Sequence, residues 1–138
     1  MKRYLIDTNV LILFFTKRNF EQYSKVIDLF QKSELGECHL LFPFELVSEF
    51  VYVMKASYSV NAKTIRKYID AMNGGDVVEI LFSETTISTM KLWPDSIVDF
   101  GDAMLAYHAL QIRHDGVLTF DKKLQKQLKK LSIPIISL

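Results

Sequence analysis

The chain carries a single cysteine, Cys38, in 138 residues. One cysteine excludes a disulfide framework and a thiolate metal cluster. Proline and glycine are scarce, at three and five residues, and no stretch is rich enough in Gly, Pro or Ser to act as a dividing linker. His39, His108 and His114 are scattered. They read as structural or surface groups, offer no zinc-binding cluster, and leave Ser48 and Ser83 without a paired base for nucleophilic catalysis. Charge of one sign is missing too, since 17 basic residues nearly cancel 16 acidic ones. No global basic field announces a nucleic-acid partner, although a local patch stays open. The apolar runs fall far short of a membrane span. Met-Lys-Arg leads within a few residues to a carboxylate, which is no signal peptide. The expected setting is a soluble domain in the cytoplasm.

What is present is a core. The composition is 49% hydrophobic and 12% aromatic, against disorder. A chain of this length buries about two-thirds of its unfolded surface, so it folds without staples. The length suits one domain, residues 1–138.

Hydrophobic periodicity alternates strands with helices. Residues 2–7 read as a first strand, its Leu5-Ile6 run as a buried parallel one. An apolar helix follows to about Phe15, then a polar break over 16–19. Tyr23, Val26, Ile27, Phe30 and Leu35 recur at helical spacing up to Gly36. His39–Phe42 is the second strand, and residues 44–56 an apolar helix. Asn61 opens a helix with Ile65, Tyr68, Ile69 and Met72 inward. Val77–Ile80 is the third strand. Ser83 caps a helix to about Leu92, broken by Trp93-Pro94-Asp95. Asp99 to Ile112 is a helix, Val117–Phe120 the fourth strand, Asp121 to about Leu131 the last helix, and Ile133–Ile136 a short fifth strand at an edge. Such alternation implies an α/β fold, a parallel sheet of about five strands with helices on both faces.

Four acids stand at similar places in this scheme. Asp7 ends the first strand and Asp121 follows the fourth directly, where α/β sheets place their ligands. Glu49 lies on the helix after strand two. Asp102 lies in the first turn of the helix before strand four. The plain alternatives are a helix cap for Asp7 and for Asp121, a capping pair for Asp99 and Asp102, and a solvated position for Glu49. Gathered carboxylates repel one another and are costly unpaired. A hard divalent cation, Mg²⁺ or Mn²⁺, removes that cost.

The segments Leu5-Ile6-Asp7-Thr8-Asn9, Leu46-Val47-Ser48-Glu49-Phe50, Asp99-Phe100-Gly101-Asp102-Ala103 and Val117-Leu118-Thr119-Phe120-Asp121, in that order, resemble a PIN domain, most of all the small single-domain ribonucleases of the VapC toxin type. The resemblance covers essentially the whole chain. It implies a PIN-like sheet of strand order 3-2-1-4-5 and a metal-dependent endoribonuclease. It maps the catalytic acids onto Asp7, Glu49, Asp102 and Asp121. Asp7, Asp102 and Asp121 would hold the metal, Glu49 would bind metal or orient a water, and Asn9 and Thr119 would support them. Asp99 offers a fifth carboxylate, ligand or cap, and Glu45 stands one turn before Glu49 as its competitor. The resemblance also implies a homodimer and a cognate antitoxin. An apolar surplus over residues 10–30 and 42–58 fits a partner surface.

RNA needs cations along its backbone. Lys122, Lys126 and Lys130 share one face of the last helix, opposite Leu124, Leu128 and Leu131, and are the expected RNA contacts. Three rival readings differ in class. A signalling receiver domain wants an acidic pair where Asp7 meets Thr8 and Asn9. A haloacid-dehalogenase-type phosphatase wants an Asp where Asn9 stands. A catalytically silent PIN fold would bind RNA or protein without cleaving.

Overall fold

The computed structural model describes residues 1–81 and 83–136, with Ser83 described in its backbone only, so the capping role expected of its side chain lies outside the described residues. Among them the chain forms seven helices and five strands, and every strand pairing is parallel. The architecture is the mixed α/β one expected. It divides into two compact units, Met1–Ser83 and Glu84–Leu138.

The first unit runs β1 (Lys2–Leu5), α1 (Thr8–Thr16), α2 (Phe20–Glu34), β2 (Cys38–Pro43), α3 (Glu45–Ala56), α4 (Ala62–Asn73) and β3 (Val78–Leu81). The strands pair in the order β1-β2-β3, with Tyr4 opposite Leu40 and Leu40 opposite Val78. Successive residues of a strand face opposite sides. Leu40, Leu41 and Phe42 are all buried, so β2 is covered on both faces, by α2 and α3 among others. α1 is apolar nearly all round and forms the hub of the unit. Phe14 stacks on Phe30 of α2 at 4.5 Å between ring centroids, and Phe15 stacks on Tyr68 of α4 at 4.1 Å. Phe15 also leans on Phe50 of α3. α1 stops where Lys17 takes a left-handed conformation, φ 54°, which realises the polar break. α2 ends in a Schellman motif. Gly36 at φ 77° lets its own N–H reach Ser33 O and Glu37 N–H reach Lys32 O.

β1 departs from the expectation. It ends at Leu5 rather than at residue 7, and all four of its residues are exposed, Leu5 by 69%. The reason is its edge position, since β2 is its one hydrogen-bonded neighbour among the described residues. Ile6, just past the strand, is the residue that turns inward, and its N–H still reaches Leu41 O at 2.9 Å.

The second unit runs α5 (Ser83–Met90, its first residue belonging to the unit before), α6 (Phe100–Gln111), β4 (Val117–Leu118), α7 (Lys122–Lys130) and β5 (Ile135–Ile136). β4 pairs with β5, Val117 opposite Ile135. Thus the expected neighbours 3-2-1 and 4-5 are all present, as a three-stranded and a two-stranded set. The last two strands are shorter than expected, and Thr119 and Phe120 lie beyond β4. Gly116 explains the tight join, because a Cβ there would stand 2.8 Å from Ile136 Cγ1. Trp93 is completely buried, edge-on to Phe100, with its indole N–H donating to Val98 O. It anchors the crossing from α5 to α6.

Candidate functional site

In the first unit the acids sit on α1 and α3. Asp7 follows β1 and is the N-cap of α1, its Oδ1 accepting from Val10 N at 3.2 Å. The side chain of Asp7 is exposed. Thr8, next in the chain, is buried, and its hydroxyl donates to Glu49 Oε2 at 2.9 Å. That bond joins positions 41 residues apart and brings the α3 carboxylate to the turn that carries Asp7. Glu45, one turn earlier, is the first residue of α3, so the Thr8 bond falls to Glu49 rather than to its competitor. Asn9 Oδ1 accepts from Arg18 Nη2 at 3.1 Å, and Arg18 Nη1 reaches Tyr58 OH at 2.8 Å. Arg18 thus ties Asn9, at the start of α1, to Tyr58, just past the end of α3.

In the second unit the acids sit on α6 and α7. Asp99 is the N-cap of α6, its Oδ1 accepting from Asp102 N at 2.8 Å. This is the capping-pair geometry read from their spacing. Asp102 is half-buried in the first turn. Burial pushes its carboxyl above the ordinary range, and the nearby charges of Asp99 and then Asp121 push it further. Asp121 is the N-cap of α7, its Oδ1 accepting from Lys123 N and Leu124 N at 2.9 and 3.1 Å. Thr119 Oγ1 accepts from Asp121 N at 3.1 Å. The hydroxyl expected to support the site thus fixes the backbone of the last acid.

Three of the acids, Asp7, Asp99 and Asp121, are at once caps and candidate ligands. Each cap uses one carboxylate oxygen, Oδ1. The donor set is hard oxygen throughout, which fits Mg²⁺ or Mn²⁺ in chemistry. Among the described residues, no group of three or more His, Cys, Asp or Glu side chains is placed to hold a metal ion. The lysines expected to meet RNA, Lys122, Lys126 and Lys130, are all exposed on α7.

The PIN domain family model matches residues 4–130. That span includes every acid above and most of both units. The chain belongs to the PIN domain family. PIN domains are generally nucleases with a nuclease-type fold, and they commonly use divalent metal ions. No curated protein was found to match the chain. Among the described residues, no helix is long and apolar enough to cross a membrane.

One residue of this PIN domain escaped the sequence reading. Thr8 figures there only as a member of the Leu5–Asn9 segment, with no role of its own, yet it is the donor to Glu49. The available signal was a small hydroxyl residue between two polar ones at the start of an otherwise apolar helix, a place where burial demands a partner.

Proposed function

We propose that this PIN domain is a Mg²⁺- or Mn²⁺-dependent endoribonuclease, and the toxin of a toxin–antitoxin pair of the VapC type. The observation that carries the reading is the Thr8–Glu49 hydrogen bond. It brings the second acid of the family pattern, itself exposed, to the turn of the first. Asp7, Asp102 and Asp121 would hold the cation, with Asp99 as a further candidate carboxylate. Such a cation polarises the phosphate and lowers the pKa of water near it. Glu49, oriented by Thr8, accepts a proton from the attacking water. Thr119 holds the backbone of Asp121, and Asn9 would support the site from its place two residues after Asp7. Lys122, Lys126 and Lys130 draw the RNA backbone to α7. The family match across both units supports one domain over residues 1–138. A homodimer, a cognate antitoxin and a cytoplasmic setting belong to the same reading.

The test is incubation of the purified protein, freed of any antitoxin, with mixed cellular RNA and Mg²⁺ or Mn²⁺. Asp7→Asn and an EDTA control run beside it. Discrete fragments that vanish in both controls are the expected result. RNA affinity without any cleavage would return the silent binding module, and cleavage that survives Asp7→Asn would remove Asp7 from the centre.

A further inference from the structure

Phe120 is 77% exposed, although it stands between two residues whose positions are tightly held. On one side Thr119 receives Asp121 N–H on its hydroxyl and the Gln125 amide on its carbonyl, at 3.1 and 2.7 Å. On the other side Asp121 caps α7 through Lys123 N and Leu124 N. The backbone is thus fixed before and after a large apolar ring that enters no core. Val117, Leu124, Leu128 and Ile133 supply the buried apolar groups around it in sequence. Holding such a ring in water is unfavourable, so the rigid loop calls for another account.

The helix that follows supplies one. α7 carries Lys122, Lys123, Lys126, Lys129 and Lys130 and no acidic residue, in a chain whose net charge is only +1. None of these lysines enters an ion pair among the described residues. Lys129 and Lys130 suit the negative end of the helix dipole. Lys122 and Lys123 stand at its positive end, where a cation is disfavoured. A local preference broken in this way marks a functional position. The broken preference sits beside the exposed ring.

We infer that Phe120 is a base-stacking residue for single-stranded RNA, with Lys122, Lys123 and Lys126 taking the flanking phosphates next to Asp121. A protein ring stacks on a base only where the base is unpaired and splayed out, which a duplex does not offer. RNA as the polymer rests on the nuclease reading, but the contact is one of binding and is read without cleavage.

The test uses the full chain in EDTA, so that nothing is cut, with a labelled short oligoadenylate alone or hybridised to its complement. Phe120→Leu keeps an apolar side chain and removes stacking, and is expected to weaken single-strand binding about tenfold while leaving duplex binding unchanged. Phe120→Trp restores the affinity. The chain's own Trp93 is buried, so the indole introduced at 120 is the exposed one, and the oligonucleotide is expected to quench it. Lys126→Gln weakens both ligands and lowers the salt slope by about 1. Wild-type affinity in Phe120→Leu, equal losses on duplex and single strand, an unquenched indole, or no binding by the wild type would each overturn the inference. Cleavage with Mg²⁺ by a protein whose Phe120→Leu binds normally removes this contact and leaves the nuclease reading intact. Stacking without cleavage does the reverse.

Discussion

The two units hold their acids by different means. In the first, Glu49 receives a hydroxyl from a buried residue, and Asp7 caps a helix whose apolar sides are locked by stacked rings. In the second, Asp102 is half-buried with two like charges near it, and its carboxyl is raised. Packing organises one carboxylate set; the other is gathered against its own repulsion. The difference teaches where stability and function part company. A hydroxyl holds Glu49 in the first unit, whereas burial and like charge raise the Asp102 carboxyl in the second. Natural sequences tolerate that at sites where a ligand relieves it.

The sharpest way to break this comparison is to remove a core ring from each unit. Phe50 and Trp93 are both completely buried. Phe50→Ala and Trp93→Ala are each expected to cost about 3–5 kcal/mol, a large part of the ~5–15 kcal/mol of a typical domain. Urea unfolding followed by far-ultraviolet circular dichroism measures both. Phe50→Ala also reports on coupling, because Trp93 fluorescence belongs to the second unit alone. If residues 1–138 are one domain, its fluorescence and dichroism transitions shift together. A fluorescence transition that stays at the wild-type position would make the two units separate domains.

A smaller effect falls on the Thr8–Glu49 bond. Thr8→Val keeps the shape and removes the donor, leaving a carboxylate without its partner. The expected loss is about 1 kcal/mol of stability and about 10–100-fold in RNA cleavage, the usual cost of losing a hydrogen bond that orients a functional carboxylate. Thr8→Ser should restore most of the activity. Full cleavage by Thr8→Val would show that Glu49 needs no orientation.

Much of this was legible in the chain. The helix spans and the caps at Asp7, Asn61, Asp99 and Asp121 follow from periodicity and capping chemistry, whereas the strand neighbours came from the family resemblance. The same chemistry hid the ambiguity of the acids, since a cap and a ligand need the same residue in the same place. β1 was misread because an apolar pair such as Leu5-Ile6 looks alike in a central and an edge strand. The Thr8–Glu49 bond was invisible for a different reason. It spans 41 residues, and no local pattern encodes a partner so far along the chain. Phe120 looked like strand because it continues the run Val117-Leu118-Thr119, and only its exposure separates it from a core residue.

The smallest effect tests the repulsion itself. A carboxyl in the first turn of a helix normally gains about 0.3–1 kcal/mol from the dipole when charged, so burial and the charges of Asp99 and Asp121 must outweigh that gain to raise Asp102. An acid raised by folding supports stability below its ordinary value, about pH 3.9, and loses that contribution as pH rises through the raised value. Charged Asp102 therefore opposes folding at neutral pH. Asp102→Asn should stabilise the cation-free protein at pH 7 by about 0.5 kcal/mol, a figure kept small because the group is only half-buried and partly screened. The gain should fade as the pH drops below the ordinary carboxylate range, while RNA cleavage is lost. Urea titrations of the two proteins at both pH values decide it. A variant less stable than the wild type at pH 7, or a gain unchanged by acid, would mean that the dipole wins at Asp102 and that both units hold their acids alike.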